Sequence, residues 1–186
     1  MESNFNFKNF SIVIPIFNEE EILEESTNAI FSLCKRMEID FEIIFSENGS
    51  TDKTKAIAEE LTNKHPEIKI ISNPEPNYGN ALKTGFKIAK NDLVISFDID
   101  YYSESFLSEA LKLESEYSGI TASKRLGSSE DGRRFIRRLA TNFFVILLKT
   151  LFGTKLSDTH GMKAIKKSEI EKFLPKVVST QDIFAV

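Results

Sequence analysis

The chain has 186 residues, a mass of 21.1 kDa and a formal net charge of −4 at pH 7. Hydrophobic residues make up 41% of it and charged residues 28%, a balance that is ordinary for one folded domain and too apolar for a disordered chain. The acidic balance argues against a nucleic-acid-binding protein, the single cysteine excludes an internal disulfide framework, and no apolar run reaches the roughly 18 residues of a membrane-spanning helix.

The first hundred residues alternate between apolar strands and amphipathic helices. Short runs rich in Ile, Val and Phe predict four strands, at 10–16, 41–45, 68–71 and 93–97. Apolar residues at helical spacing predict three helices between them, at 19–37, 51–63 and 81–89. Strands that alternate with helices form βαβ units, so we expect an α/β fold with a mainly parallel sheet flanked by helices.

After residue 100 the pattern changes. The predicted elements are a helix over 104–116, a strand over 119–123, a polar loop over 126–132 and an edge strand over 162–165. Between the loop and the edge strand, a long helix follows four arginines and is apolar on most of its circumference. Its composition is equally compatible with an anionic membrane surface, the core and a dimer interface. Ser168, with Glu171 three residues later, predicts a capping box at the start of a last short helix.

Charge is divided unevenly along the chain. Residues 1–100 carry 18 acids and 10 bases, a net charge of −8, whereas residues 101–186 carry a net charge of +4. One interpretation is a solvated basic face in the second half. The other is that the first half holds a cation while the second half meets a polyanion or an anionic membrane surface.

Polar segments stand where the predicted strands end. They are residues 17–19, 47–52, 78–80 and 98–100. Because ligands of parallel α/β sheets bind beyond the carboxyl ends of the strands, these segments form the candidate site. No G-x-G-x-x-G sequence follows the first strand and no G-x-x-x-x-G-K-S/T sequence occurs, so neither a Rossmann dinucleotide site nor a P-loop is supported.

Asp98 and Asp100 flank Ile99 at the end of the fourth strand. Strand alternation directs both carboxylates to one side and Ile99 into the core. Two close carboxylates repel each other unless a cation lies between them, and oxygen ligands suit a hard divalent ion such as Mg²⁺ or Mn²⁺. The alternative is a solvated loop with two acids, since D-x-D sequences also occur by chance.

The segment 47–52 follows the second strand. Gly49 allows a sharp backbone turn, and the Ser, Thr and Asp at 50–52 are residue types that cap a following helix. A simple turn and cap explains these four residues. It does not explain Glu47, an acid at a strand end that faces the same crevice.

Four stretches of the sequence carry a family resemblance. They are SIVIPIFNEEE, SENGSTDKT, NYGNALKTGFKIAKNDLVISFDID and RRFIRRLATNFFVILLKTLFGTKLSDTHGMKAIKKSEIEKF. In this order they resemble the motifs of the family 2 glycosyltransferases of GT-A fold, and most closely the polyprenyl (dolichyl)-phosphate mannose or glucose synthases. The resemblance covers about residues 10–175 and implies the use of a nucleotide-diphosphate sugar, with UDP- and GDP-hexoses both open.

The resemblance assigns roles to residues of the first half. By position, Pro15, Phe17 and Glu19 would line the nucleotide pocket. Glu47 and Asn48 would lie near the base and ribose. These two residues replace the paired aspartates of the family's turn, so the resemblance does not define the base.

The metal and the acceptor phosphate receive candidate residues in the same way. Asp98 would lie near the ribose and the metal, and Asp100 would be the principal metal ligand. Arg134 and Arg138 stand four residues apart on one helix face, with Lys124 nearby in sequence, and the resemblance makes this the acceptor-phosphate site. The alternative is a basic helix end paired with surface acids.

A loop of the family, D-T-x-x-G-F-R, appears here as DTHGMK over 158–163, one residue short. Lys163 replaces its arginine, which keeps the charge and loses bidentate geometry. We expect His160 to hydrogen-bond a phosphate, since no second histidine stands close by to form a metal site. If the acceptor were a sugar hydroxyl, a general base would be required, and Asp158 and Asp182 are the candidates.

These observations predict one glycosyltransferase domain over 1–186, with a nucleotide-sugar and metal half at 10–100 and an acceptor half at 101–186. Family members commonly continue past this point, so we expect part of the acceptor side to be missing. The predicted reaction is metal-dependent, inverting transfer of a hexose to a polyprenyl phosphate, by a cytoplasmic protein peripheral to the membrane. The alternatives are transfer to a sugar hydroxyl in envelope glycan assembly and a nucleotide-sugar-binding protein without turnover. A homodimer is compatible with each of these functions.

Overall fold

A computed structural model describes residues 5–122 and 161–177 of the chain. The elements in these ranges are β1 (Asn9–Ile16), α1 (Leu23–Arg36), β2 (Asp40–Asn48), α2 (Thr54–Lys64), β3 (Ile68–Asn73), α3 (Tyr78–Ile88), β4 (Leu93–Ser96), α4 (Glu104–Leu111), β5 (Gly119–Thr121), β6 (Lys163–Lys166) and α5 (Lys167–Phe173). A 3-10 turn over Leu174–Lys176 follows α5. The predicted alternation of strands and helices over the first hundred residues is confirmed.

The described strands form a six-stranded sheet in the order β3-β2-β1-β4-β6-β5. Strands β3, β2, β1 and β4 are parallel, and β6 runs antiparallel to both β4 and β5. The sheet is therefore mainly parallel, as the βαβ pattern predicts. Its parallel strands bring the carboxyl ends of β1 to β4 to one edge.

Helices cover both faces of the sheet, and this explains why the strands are continuous apolar runs. Along β1, Ile12 and Ile14 pack with residues of α1, α2 and α4 on one face. Val13 points to the other face and packs with residues of α3 and α5. Helix α3 lies against β1 at Gly85, where a Cβ atom would overlap a methyl group of Val13.

A buried carboxylate joins three segments at the amino end of the sheet. Glu42 on β2 is only 2% exposed. Its Oε1 accepts hydrogen bonds from the Ser11 hydroxyl at 2.7 Å and the Lys90 backbone N–H at 2.9 Å, and its Oε2 lies 2.7 Å from Lys69 Nζ. Burial alone would raise the pKa of Glu42, but Lys69, the Lys90 amide and Ser11 outweigh it and hold that pKa below its ordinary value.

The structure corrects the predicted edge strand at 162–165. Strand β6 lies inside the sheet, where Ala164 pairs with Ile95 of β4 on one side and Ile120 of β5 on the other. The three-residue strand β5 forms the edge instead. Strand β6 is short because it pairs only along the four residues of β4. Its length therefore does not reveal that it has partners on both sides.

Two helix boundaries also differ from the prediction. Helix α5 begins at Lys167, one residue before Ser168, and its N-cap Lys166 makes no side-chain capping bond. Ser168 therefore lies inside the first turn, and the predicted capping box is wrong. Helix α4 ends at Leu111 rather than at residue 116, where backbone turns replace helical bonds, including Leu113 N–H to Ala110 O at 3.1 Å.

Several predictions lie outside the described residues: the polar loop at 126–132, the arginine-rich segment and the long apolar helix after it. Within 5–122 and 161–177, no helix combines the length and the apolar character that crossing a bilayer requires.

Candidate active site

The polar segments selected from the sequence meet at the carboxyl edge of the sheet. Ile16 at the end of β1 pairs with Glu47 of β2, and Glu47 pairs in turn with Ser72 of β3. On the other side of β1, Val13 pairs with Ser96, the last residue of β4. The loops that follow these strands therefore emerge side by side, which confirms the predicted convergence.

Hydrogen bonds join the loop after β1 to the loop after β2. Asn18 N–H donates to Ser50 Oγ at 3.1 Å, and Asn18 Oδ1 accepts from Thr51 N–H at 2.9 Å. Glu19 N–H donates to Thr54 Oγ1 at 2.7 Å. Asn18 has a φ of 55°, a left-handed conformation that asparagine tolerates better than most residues. These bonds hold the backbone of residues 17–19 against the second loop, with Phe17 40% exposed.

Glu47 and Asn48 belong to β2 itself and are nearly buried, at 3% and 5% exposed. Glu47 Oε1 accepts the Ser50 N–H at 2.6 Å, so this carboxylate closes the turn that Gly49 makes with a φ of 74°. Asn48 Oδ1 accepts the Asn77 N–H at 2.7 Å. Both side chains therefore already have a structural partner at the positions where the resemblance expects base and ribose contacts.

The predicted cap of α2 is only partly correct. Helix α2 starts at Thr54 with Lys53 as its N-cap, and Asp52 Oδ1 accepts the Thr54 N–H at 2.9 Å. Ser50 and Thr51 bond Asn18 across the crevice instead. The segment 50–52 thus fixes the neighbouring loop as well as the helix start.

Helix α3 begins at Tyr78 rather than at the predicted residue 81. The reason is Asn77, whose side chain accepts the Asn80 N–H at 2.9 Å and caps the helix. Asn73, at the end of β3, donates to Ser46 Oγ and accepts from Asn80 Nδ2, each at 3.2 Å. These side chains fasten the start of α3 to the ends of β2 and β3.

Asp98 and Asp100 lie in a tight turn and not on an extended strand. Strand β4 ends at Ser96, and Asp98 and Tyr101 exchange backbone hydrogen bonds of 3.3 and 3.0 Å. Ile99 is buried in the core, Asp98 is half-buried and Asp100 is exposed. The burial of Ile99 is as predicted, but a turn rather than strand alternation places the two acids.

A tyrosine from the start of α3 contacts this turn. The Tyr78 hydroxyl donates to Asp98 Oδ1 at 3.0 Å. Burial raises the pKa of Tyr78, and the negative charge of Asp98 raises it further, so the phenol remains a hydrogen-bond donor at neutral pH.

The crevice carries a concentrated negative charge. Burial raises the pKa of Glu19, and the charges of Asp100, Asp52 and Asp98 raise it further. Carboxylate oxygens at this density are the donor set that a hard divalent cation prefers, so the residues fit Mg²⁺ or Mn²⁺. Within the described part of the chain, no three acidic, His or Cys side chains converge to enclose an ion. Asp98 and Asp100 are the acidic side chains that would hold such an ion.

Lys163 lies beside the acidic turn because β6 runs antiparallel to β4. It begins β6 opposite Ser96, at the carboxyl end of β4, and its Nζ lies 3.5 Å from the Gly161 carbonyl oxygen. The structure thus brings one group of predicted site residues to a common edge: Pro15, Phe17, Glu19, Glu47, Asn48, Asp98, Asp100 and Lys163. A second group lies outside the described residues: Lys124, Arg134, Arg138, Asp158, His160 and Asp182.

The candidate segments 17–19 and 78–80 include Asn18 and Tyr78, but the sequence predicted no individual role for four residues that organise the crevice: Asn18, Asn73, Asn77 and Tyr78. Asparagine is among the preferred N-cap residues, and this preference could have identified Asn77. The local sequence does not reveal the contact of Tyr78, because its partner Asp98 is 20 residues away.

Most of the chain matches known proteins. Residues 11–174 match the family model described as Glycosyl transferase family 2. An undecaprenyl-phosphate 4-deoxy-4-formamido-L-arabinose transferase of Proteus mirabilis (strain HI4320) is 37% identical over 167 residues, covering 88% of this chain and 51% of that protein. A transferase of the same name from Pseudomonas fluorescens (strain Pf0-1) is 29% identical over 88% of this chain and 48% of its own length. The chain spans about half the length of the curated relatives it matches.

Solved structures share the architecture. Glucosyl-3-phosphoglycerate synthase from Mycobacterium tuberculosis, in complex with Mn²⁺, UDP and phosphoglyceric acid, gives a TM-score of 0.64 at 22% identity, covering 87% of this chain and 56% of that one. The mannosyltransferase PcManGT from Pyrobaculum calidifontis, in complex with GDP-Man and Mn²⁺, gives 0.61 at 19% identity, covering 92% and 48%. At these identities the likeness establishes the GT-A fold alone.

Proposed function

The chain belongs to glycosyl transferase family 2, and we propose that it transfers a sugar from a nucleotide-diphosphate sugar to a polyprenyl phosphate. The observation that supports this most is the crevice at the carboxyl edge. There the turn that carries Asp98 and Asp100 lies beside the loops after β1 and β2, which are hydrogen-bonded to each other. The curated relatives, which are named for an undecaprenyl-phosphate acceptor, support the lipid phosphate. The resemblance implies a hexose donor, whereas the relatives' names specify a formamido-arabinose, so both sugar classes are candidates.

The nucleoside would bind where the loop after β1 is hydrogen-bonded to the loop after β2. Phe17 exposes an aromatic side chain beside the crevice, and such a surface suits packing against a nucleotide base. Pro15, near the end of β1, and Glu19, on the loop that follows, stand on either side of Phe17 in the sequence. Glu47 and Asn48, each of which accepts a backbone N–H of a neighbouring segment, stand at the adjacent strand end and would lie near the base and ribose.

Asp98 and Asp100 would hold the divalent ion, Mg²⁺ or Mn²⁺. When bound, the ion would supply positive charge that stabilises the diphosphate as it leaves. The protein's own contribution is to hold the two carboxylates on a turn fixed by backbone bonds at Asp98 and Tyr101. Lys163, on the neighbouring strand, adds a cation at the same edge.

The acceptor phosphate is expected to need positioning more than deprotonation, because the second pKa of a phosphate monoester is about 6. An acceptor oxygen would attack the anomeric carbon as the bond from that carbon to the diphosphate oxygen breaks, which inverts the configuration. Lys124, Arg134 and Arg138 would orient the phosphate, and His160 would donate a further hydrogen bond. A sugar-hydroxyl acceptor would instead require a base such as Asp158 or Asp182.

With a lipid acceptor, we propose a peripheral protein at the cytoplasmic face of the membrane. The net positive charge of residues 101–186 would favour contact with anionic headgroups, and the acidic first half would hold the ion. We propose the two halves as parts of one glycosyltransferase domain.

The experiment is a panel of radiolabelled UDP- and GDP-sugars, including hexoses and 4-formamido-arabinose, with polyprenyl phosphate and Mn²⁺. We expect one donor to yield a product that partitions into organic solvent, and EDTA to abolish its formation. A labelled product that stays in water would favour transfer to a sugar hydroxyl. Nucleotide binding without turnover of any donor would favour the binding protein.

The arginine pair gives a separate prediction for the acceptor. Replacing Arg134 and Arg138 together with alanine is expected to lower kcat/KM for polyprenyl phosphate by about 100-fold, since two charge-assisted contacts to phosphate are lost. The KM for the donor should stay unchanged. Arg36→Ala is the control, because Arg36 is exposed and pairs with Glu104 at the surface. An equal rise in the donor KM would contradict the assignment.

A further inference from the structure

Tyr78 links the helix that borders the nucleotide crevice to the acidic turn. It is the first residue of α3, and its hydroxyl donates to Asp98 Oδ1 at 3.0 Å. We infer that Tyr78 is a positioning residue, which fixes the orientation of the Asp98 carboxylate before nucleotide and ion bind. This inference rests on the proposed function, because it concerns the same site.

The backbone and the side chain of Asp98 are held by different hydrogen bonds. The bonds between Asp98 and Tyr101 fix the backbone of the turn. They leave the two side-chain torsions of Asp98 undetermined, and rotation about them moves the carboxylate oxygens by more than the tolerance of an ion-binding geometry. A directed hydrogen bond to one carboxylate oxygen restricts this rotation, and the Tyr78 hydroxyl makes such a bond to Oδ1.

Tyr78 is itself held in place from the nucleoside side of the crevice. Asn77, which precedes it, donates its backbone N–H to Asn48 Oδ1 at 2.7 Å. The Asn77 side chain accepts from Asn80 N–H at 2.9 Å and so fixes the first turn of α3. A continuous path therefore runs from Asn48 at the end of β2, through Asn77 and Tyr78, to Asp98 after β4.

This path connects the two ends of a nucleoside diphosphate. Asn48 lies where the nucleoside is proposed to bind, and Asp98 lies where the diphosphate and its ion are proposed to bind. Asn48 contacts Asn77 and Asp98 contacts Tyr78, so both are hydrogen-bonded to residues at the start of α3. Loss of the Tyr78 hydroxyl removes only the contact to Asp98. It should therefore weaken the part of nucleotide binding that depends on the ion and leave the ion-independent part intact. A residue with a merely structural role would weaken both parts together.

Calorimetric titration of Tyr78→Phe with UDP and GDP, with and without Mn²⁺, tests the inference. Loss of a hydrogen-bond partner of a metal ligand lowers metal affinity by about 10-fold or more, so the Kd of the nucleotide with Mn²⁺ should rise about 10-fold. The Kd without Mn²⁺ and the unfolding temperature of the ligand-free protein should stay those of the wild type. Tyr117→Phe, at an exposed tyrosine outside the crevice, is the matched control and should change neither constant.

Asn77→Ala completes a double-mutant cycle. Removing the cap should weaken Mn²⁺-dependent binding in the wild-type background, and it should add little in the Tyr78→Phe background because both changes act on the same carboxylate. Additive effects would overturn the proposed path. A Tyr78→Phe protein that binds nucleotide with Mn²⁺ as the wild type does would overturn the role of Tyr78, as would an equal loss with and without Mn²⁺. A wild type that binds neither nucleotide would instead overturn the proposed function.

Discussion

An Asp100→Asn variant is expected to transfer sugar with a kcat/KM about 10³-fold below that of the wild type, a loss of about 4 kcal/mol of transition-state stabilisation. Asp100 is exposed at the tip of the turn, so the amide causes no packing defect. What it removes is one of the two negative charges that would hold the ion. The loss should appear mainly in kcat, because charge on the departing diphosphate grows in the transition state.

The control for this variant is Asp92→Asn, which makes the same chemical change just before β4, at the strand's opposite end. Asp92 is also exposed, and its carboxylate lies a whole strand away from the crevice. Steady-state transfer over a range of Mn²⁺ concentrations should show wild-type behaviour for this variant. Equal activities for Asp100→Asn and Asp92→Asn would exclude Asp100 as a metal ligand.

The second large effect is on stability. Glu42→Ala is expected to lower the free energy of unfolding by about 3 kcal/mol at pH 7, because the Ser11 hydroxyl and the Lys90 N–H lose a buried acceptor. Lys69 adds less to this loss, since its side chain is half-exposed and regains water. Urea unfolding of both proteins measures the difference.

The same carboxylate predicts the direction of a pH effect. The pKa of Glu42 is lower in the folded protein than the ordinary value of about 4.3 in an unfolded chain. Its ionised form therefore stabilises the fold above that ordinary value, and the contribution disappears as the pH falls through the folded-state pKa. The difference in unfolding free energy between the wild type and Glu42→Gln, which has no charge to lose, should shrink on acidification below about pH 4.

Glu67 provides a matched control for the alanine substitution. It forms a Lys–Glu pair of similar length, 2.6 Å to Lys35, but its side chain is 26% exposed. Glu67→Ala should cost about 0.5 kcal/mol, as exposed ion pairs do. If Glu42→Ala cost no more than Glu67→Ala, the Glu42 network would not stabilise the sheet.

Much of this fold could be predicted from hydrophobic periodicity, and its failures have specific causes. Continuous apolar runs identified β1 to β4 because both faces of those strands are covered. The start of α3 was missed because it depends on a side-chain cap at Asn77. The interior position of β6 was missed because it depends on pairing with β4 and β5, which are distant in sequence. A run of four residues carries no information on how many strands pair with it.

For the site, the location of the polar segments could be predicted from the sequence, but their contacts could not. The rule that ligands bind beyond the carboxyl ends of parallel strands selected segments that do meet in space, including Glu47 and Asp98. The hydrogen-bond partners within the crevice could not be predicted in the same way. Asn18 and Ser50 bond across 32 residues of sequence, and Tyr78 and Asp98 across 20, so these contacts exist only once the sheet has formed.

The most direct measurement is the electron paramagnetic resonance signal of free Mn²⁺, titrated with the protein in the presence of UDP or GDP. We expect the signal to fall to an end point of one ion per chain with one of the nucleotides, and to remain nearly unchanged when Asp98→Asn and Asp100→Asn are combined. Uptake of Mn²⁺ by the double variant equal to that of the wild type, or no uptake by the wild type with either nucleotide, would contradict a divalent-ion site on the turn after β4.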